Sequence, residues 1–151
     1  MAVDDMSLSI AAGETLGLVG ESGCGKSTLG RSLLRLIDAD AGSVAFAGSD
    51  VKRLTGRTLR RFRQGAQIIF QNADSSLNSR LSVDEAIARP LRLFDASAPA
   101  ERDRRVLEIL DMVQLPHSYR TRYPFQPSGG ERQRAAIARA LKRPEPLTVI
   151  V

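Results

Sequence analysis

Eight consecutive residues match a pattern whose chemistry is the binding of phosphate. They are Gly20-Glu21-Ser22-Gly23-Cys24-Gly25-Lys26-Ser27, which fit G-x-x-x-x-G-K-[ST] at every fixed position. Glycines let the backbone turn so that successive N–H groups, together with the following helix N-terminus, form a nest for phosphate oxygens. Lys26 adds positive charge near the β and γ phosphates, Ser27 is the expected Mg²⁺ ligand, and Thr28 can donate a further hydrogen bond. The pattern therefore predicts a nucleoside triphosphate site.

The alternative interpretation of this segment is a glycine-rich turn that only caps a helix. An apolar run from Thr15 to Val19 precedes the loop and is typical of a buried strand. After the loop, Leu29, Leu33, Leu34 and Ile37 recur at helical spacing. Because a phosphate-binding loop requires this strand–loop–helix context, the flanking residues favour phosphate binding over a plain turn.

A second pair of glycines lies in the segment Ser128-Gly129-Gly130-Glu131. Ser128 and Glu131 have the spacing of a capping box, which predicts a helix from Ser128 to Leu141. Glycines in a first helical turn cost up to about 1 kcal/mol each relative to alanine, so they indicate that something approaches the backbone closely. Free N–H groups and the serine hydroxyl suit an anion. A plain N-cap explains this segment equally well when it is taken by itself.

Together with Phe70-Gln71 between them, the two patterns resemble the nucleotide-binding subunit of ABC transporters over essentially the whole chain. The stretch from Gln71 to Arg80 looks most like the oligopeptide, dipeptide and nickel importer branch. The resemblance implies that Gln71 is the Q-loop glutamine, which senses Mg²⁺ and the attacking water. It also implies that two subunits pair head to tail, so that Ser128 to Glu131, the signature motif, contacts ATP bound to the partner subunit.

The fold implied by the resemblance is α/β, a P-loop NTPase core with a RecA-like sheet and an α-helical ABC subdomain. Residues 1–71 would form the first part of the ATP-binding core, residues 72–127 the helical subdomain, and residues 128–151 the signature helix and the Walker B strand. ATP and Mg²⁺ are the implied ligands, with Ser27 and Gln71 at the metal. The implied partners are transmembrane permease subunits and a second ATP-binding subunit, which place the chain in the cytoplasm at the inner face of the membrane.

Hydrophobic patterning predicts the elements that position these motifs. The remaining predicted strands are Met6 to Ile10, Ser43 to Ala47, Gln67 to Phe70 and Leu147 to Val151. The remaining predicted helices are Leu59 to Arg63, a capped helix from Ser82 toward Pro90, and Glu101 to Leu115. In the last of these helices, Val106, Leu110 and Val113 share a face that is expected to be buried.

The chain departs from the family pattern in three places. Pro127 stands where the signature usually has leucine, so we expect an apolar anchor to be lost. Glu131 replaces the commoner glutamine, and its carboxylate is expected to be mildly unfavourable near a γ-phosphate. Leu147 to Val151 resembles the Walker B strand without the Asp and Glu that follow it in the family. From this we expect a truncated chain that binds ATP–Mg²⁺ weakly and hydrolyses little of it alone.

Composition excludes several other classes. The longest stretch without Asp, Glu, Lys or Arg, Gln64 to Ala73, is ten residues, whereas a membrane helix needs about 20 mostly apolar ones. Asp4 and Asp5 do not fit an export signal, and a single cysteine excludes an intrachain disulfide. A net charge of +5 without a basic tract gives no reason to expect nucleic acid.

Two other functions remain open at this point. One is a soluble ABC-type ATPase that acts on DNA or ribosomes, although no coiled-coil or zinc insertion is visible. The other is a non-catalytic remnant that only docks on a partner. The identity of a transported solute is not readable from these residues.

Overall fold

A computed structural model describes residues 3–70, 76–94, 98–141 and 147–150. These residues group into two units, one that ends at Phe62 and one that runs from Arg63 to Ile150. The elements of the first unit are α1 (Lys26–Leu33), β1 (Ala45–Phe46), β2 (Ser49–Asp50), a first 3-10 helix (Val51–Arg53) and most of α2 (Gly56–Gly65). Those of the second are β3 (Ala66–Ile69), α3 (Val83–Phe94), α4 (Pro99–Met112), a second 3-10 helix (His117–Thr121), α5 (Gly129–Ala140) and β4 (Leu147–Ile150).

The strand predicted over Ser43 to Ala47 is half of a short antiparallel hairpin. In it Ala45 pairs with Asp50 and Phe46 with Ser49. Ala47 and Gly48 form the turn and both have positive φ, 47° and 74°. Such a turn matches the right-handed twist of the strands that it joins, so the strand stops at Phe46 instead of continuing.

Two predicted strands are not strands in the structure. Residues 6–10 and 15–19 are irregular, and the large apolar side chains of both segments are exposed, Val19 by 95%. Period-two alternation in residues 6–10 and the apolar run of residues 15–19 show that these segments are suited to a sheet, but a strand also needs a neighbour for its backbone N–H and C=O groups. Neither segment pairs with another strand among the described residues.

The two remaining predicted strands lie side by side as a parallel pair. Ala66 pairs with Leu147 and Ile69 with Ile150, within one residue of the predicted bounds. β3 is buried at both ends and packs against α5. Parallel strands need a long crossover between them, and here α3, α4 and α5 all lie in that connection. A parallel pair joined through helices is the α/β arrangement that was predicted.

The helical part of the second unit has a continuous apolar core. Val106, Ile109 and Leu110 of α4 are at most 1% exposed and lie at its centre. The predicted inward face of this helix is confirmed, since Val113 is also buried while the side chain of Asp111 is 67% exposed. No helix among the described residues has both the length and the apolar character needed to cross a membrane.

Helix α3 extends beyond its predicted end at Pro90 and continues to Phe94. An interior proline costs a helix about 3 kcal/mol because a hydrogen bond is lost and the ring clashes with the preceding turn. Leu91, only 3% exposed, is anchored in the core just after it and helps to offset this cost. Half of the predicted capping box is present, because the Glu85 N–H donates to Ser82 Oγ at 3.2 Å. The Glu85 carboxylate instead pairs with Arg92 at 2.9 Å.

Candidate phosphate-binding site

The loop from Gly20 to Thr28 turns into α1 through two glycines in the left-handed region. Gly23 has φ 84°, and Gly25 is the N-cap of the helix with φ 94° and ψ 1°. Residues with a Cβ are strained in this region, whereas glycine is not. The positive φ values therefore explain why glycine occupies positions 23 and 25.

At Gly20, the first glycine of the pattern, the missing side chain leaves room for the thiol of Cys24. A Cβ at this position would lie 2.7 Å from the Sγ of Cys24, which is closer than two such atoms approach. The loop thus folds back so that its first residue contacts its fifth. This close approach is a property of the folded loop, which the linear pattern does not reveal.

Lys26 places its ammonium group inside the same loop. Its Nζ donates to the carbonyl oxygens of Gly20 and Glu21, both at 2.6 Å, and lies 3.3 Å from Cys24 Sγ. An ammonium group has three donors and no acceptor, so these carbonyls fix its direction. The structure therefore brings Gly20, Cys24 and Lys26 together around one positive charge.

The N-terminus of α1 is suited to an anion. Its N-cap is a glycine without a side-chain cap, and its first turn contains no acidic residue. Within the described residues the first intrahelical bond runs from Leu29 N to Gly25 O at 2.9 Å, so the N–H groups of residues 26–28 precede it and remain orphan donors. Orphan donors and the positive end of the helix dipole favour phosphate.

The residues present also fit a magnesium ion. Ser27 is exposed in the first turn of α1 and carries a hydroxyl, an oxygen ligand of the kind that Mg²⁺ prefers. Thr28 is half-buried. Gln71, the other predicted metal residue, lies outside the described residues.

At the start of α5 the predicted capping box is confirmed. The Glu131 N–H donates to Ser128 Oγ at 3.4 Å, and Glu131 Oε2 accepts from both the N–H and the hydroxyl of Ser128 at 2.7 Å. Gly129 and Gly130 are exposed, and a Cβ at either position would meet nothing within 4 Å. The packing of this chain therefore does not explain why these two positions lack a side chain.

Glu131 has a third partner that the sequence pattern did not reveal. The Tyr119 hydroxyl donates to Glu131 Oε1. This bond, followed by those from the hydroxyl and backbone of Ser128, lowers the pKa of Glu131 to about 2, and the same contact raises the pKa of Tyr119. Within the chain the carboxylate is turned toward Ser128 and Tyr119. Its predicted unfavourable effect on a γ-phosphate stays a prediction.

Pro127 corrects one sequence-based expectation. Its side chain is buried, so the position where the family usually has leucine keeps an apolar anchor. Residues 124–127 form a turn and a bend before the N-cap, where the fixed φ of proline is tolerated. The departure from leucine changes the shape of the anchor and does not remove it.

The pKa of Glu131 leads to a prediction about acid stability. Because its folded pKa of about 2 lies below the ordinary value of 4.5, the ionised carboxylate stabilises the fold above pH 4.5, and this contribution is lost as the pH falls toward 2. Glu131→Gln keeps an acceptor for the cap but does not titrate. We expect its free energy of unfolding to fall less steeply than the wild-type value over this range, as measured by urea unfolding followed by circular dichroism. Parallel pH profiles for the two proteins would contradict the assignment.

Although residues 15–19 are not a strand, a glycine loop that holds a lysine ammonium beside an uncapped helix N-terminus, in an α/β fold, is the arrangement of a P-loop nucleotide-binding protein. The family model described as ABC transporter matches residues 3–150. The chain belongs to this family.

Relatives from bacteria agree with this assignment. The oligopeptide transport ATP-binding protein OppF of Streptococcus mutans is 47% identical over 141 residues, which are 93% of this chain and 46% of the relative. The dipeptide transport ATP-binding protein DppF of Lactococcus lactis is 49% identical over 146 residues, with the same two coverages. The chain thus spans about half the length of these relatives.

Solved structures show the same fold. A dimeric ATP-binding cassette in a post-hydrolysis state, bound to ADP and phosphate, superposes with a TM-score of 0.87 at 32% identity. The superposition covers 99% of this chain and 65% of the other. The predicted class, an α/β P-loop NTPase of the ABC type, is confirmed.

Proposed function

We propose that this chain is the ATP-binding subunit of an ABC importer, which couples the binding and hydrolysis of ATP to uptake of a peptide-like or nickel-type solute. The observation that carries the proposal is the phosphate loop, in which the Lys26 ammonium lies among loop carbonyls beside an uncapped helix N-terminus. The names of the two relatives, which are transport ATP-binding proteins for oligopeptides and dipeptides, support the choice of solute.

In this proposal each part of the site has one role. Residues Gly20 to Thr28 hold the phosphates, and Ser27 and Gln71 serve the Mg²⁺ ion. The ion, when bound, neutralises charge on the phosphate oxygens. Ser128 to Glu131 contact ATP on a second subunit, where bare backbone at Gly129 and Gly130 allows a close approach. The open space at these glycines supports this role.

The proposed partners are a second ATP-binding subunit, paired head to tail, and transmembrane permease subunits. The dimeric state of the cassette with the TM-score of 0.87 supports the first partner. Residues 72–127 are proposed as the subdomain that docks on the permeases, between the core segments 1–71 and 128–151. The chain would then work in the cytoplasm, at the inner face of the membrane.

The exposed thiol of Cys24 provides a direct test of nucleotide binding. Cys24 is the only cysteine of the chain, it is exposed, and its Sγ lies beside Lys26. Bound MgATP should cover the loop, so we expect alkylation of Cys24 by N-ethylmaleimide to slow by about tenfold at saturating MgATP. Equal rates with and without MgATP up to millimolar concentrations would contradict the proposal. AMP, which lacks the β and γ phosphates, serves as the control ligand.

Gly130→Ala is expected to have opposite effects on stability and on association. Alanine is favoured over glycine in a helix by about 1 kcal/mol, and its Cβ would meet nothing within 4 Å, so the free energy of unfolding should rise. The same methyl group would block the approach of a phosphate to the backbone. We therefore expect weaker self-association in MgATP, measured by sedimentation velocity. A variant that associates as the wild type does would contradict the proposed role of Gly130.

A further inference from the structure

The side chain of Tyr119 contacts the carboxylate that caps α5. Tyr119 lies in the second 3-10 helix and is only 7% exposed. Its hydroxyl donates to one oxygen of Glu131, while the other oxygen accepts both the N–H and the hydroxyl of Ser128 at 2.7 Å. One carboxylate thus joins the tyrosine hydroxyl to the two donors of the signature serine.

Tyr119 is itself held in place by its neighbours. Arg122 lies over its ring, with the guanidinium carbon 4.2 Å from the ring centroid. The adjacent Arg120 donates to Asp84 of α3 and, at 3.0 Å, to Asp103 of α4. These contacts fasten the 3-10 helix to two helices of the core and place the Tyr119 hydroxyl beside the start of α5.

We infer that Tyr119 is a positioning residue for the signature motif, which orients the Ser128 hydroxyl through Glu131. The carboxylate of Glu131 rotates about the Cγ–Cδ bond unless both of its oxygens accept hydrogen bonds. With Tyr119 on Oε1, Oε2 stays directed at Ser128, where it receives the hydroxyl hydrogen while Ser128 Oγ accepts the Glu131 N–H. The serine is therefore fixed in one orientation before any ligand arrives.

The importance of this orientation for nucleotide contact rests on the proposed function, but the positioning itself is measurable without nucleotide. Tyr119→Phe keeps the buried ring and removes only the donor. By ¹³C NMR, we expect the titration midpoint of the Glu131 carboxyl to move up from about 2 toward 4.5. By hydrogen exchange, we expect the Ser128 amide to exchange about fivefold faster.

Tyr123→Phe is the matched control, because it removes the same hydroxyl group from the other of the chain's two tyrosines. Tyr123 is exposed, and its ring stacks on Phe125 at 5.9 Å. We expect this variant to leave both the Glu131 titration and the Ser128 exchange rate unchanged. An equal change in the two variants would show a general loosening of the segment and would overturn the inference.

A double-mutant cycle separates action through Glu131 from a structural effect. In a Glu131→Ala background the link to Ser128 is absent, so Tyr119→Phe should add no further acceleration of Ser128 exchange. A full additional effect in that background, or no effect in the wild-type background, would overturn the inference. Failure of MgATP to protect Cys24 would instead overturn the proposed function, and the NMR result would still decide the role of Tyr119.

Discussion

Lys26→Ala is expected to weaken protection of Cys24 by MgATP, raising the nucleotide concentration that gives half-maximal protection by about 100-fold. The substitution removes the positive charge that the loop carbonyls of Gly20 and Glu21 hold in place. Hydrogen bonds to charged groups are about twice as strong as neutral ones, and phosphate would lose its cationic partner. The measurement is the alkylation rate of Cys24 over a range of MgATP concentrations.

Two controls make this experiment specific. Because Lys26 Nζ also lies 3.3 Å from Cys24 Sγ, the alkylation rate without nucleotide is measured for each variant and used as its own reference. Lys52→Ala removes the same charge from an exposed lysine of the first 3-10 helix, and we expect it to bind as the wild type does. If both variants lost protection equally, net charge and not the loop would explain binding.

Leu110→Ala is expected to cause a large loss of stability in the second unit. Leu110 is 0% exposed and lies in the core that α3, α4 and α5 share. Truncating a buried leucine to alanine costs about 2–5 kcal/mol, since transfer free energy is lost and a cavity is left. Domains of this size are stable by only about 5–15 kcal/mol, so much of the margin disappears. Urea unfolding followed by far-UV circular dichroism measures the change.

Met112→Ala, two residues further along the same helix, is the matched control. Its side chain is 60% exposed, so the expected change is within about 0.5 kcal/mol. Tyrosine fluorescence is a second probe, because the chain has no tryptophan and Tyr119 lies in the core cluster. If Leu110→Ala were no more destabilising than Met112→Ala, the packing described for α4 would be wrong.

The positions of the helices and the cap at Ser128 were predictable because their signals are local. The capping box at Ser128 depends on residues three positions apart, and the inward face of α4 on spacings of three and four. The strands at residues 6–10 and 15–19 were predicted wrongly because pairing depends on a distant neighbour, which neither alternation nor an apolar run reports. Pro90 and Pro127 were misjudged for the same reason, since their outcome depends on what packs around them.

The amino-acid sequence by itself determined the chemistry of the phosphate loop. The nine residues from Gly20 to Thr28 include the lysine, the hydroxyls and the glycines whose φ angles turn the backbone into α1. Because these residues are adjacent in the chain, their chemistry can be read without knowledge of any distant contact. The tertiary structure alone decided that Tyr119 holds Glu131 and, through it, Ser128. Tyr119 lies on a separate 3-10 helix, which ion pairs and the buried core fasten to α3 and α4.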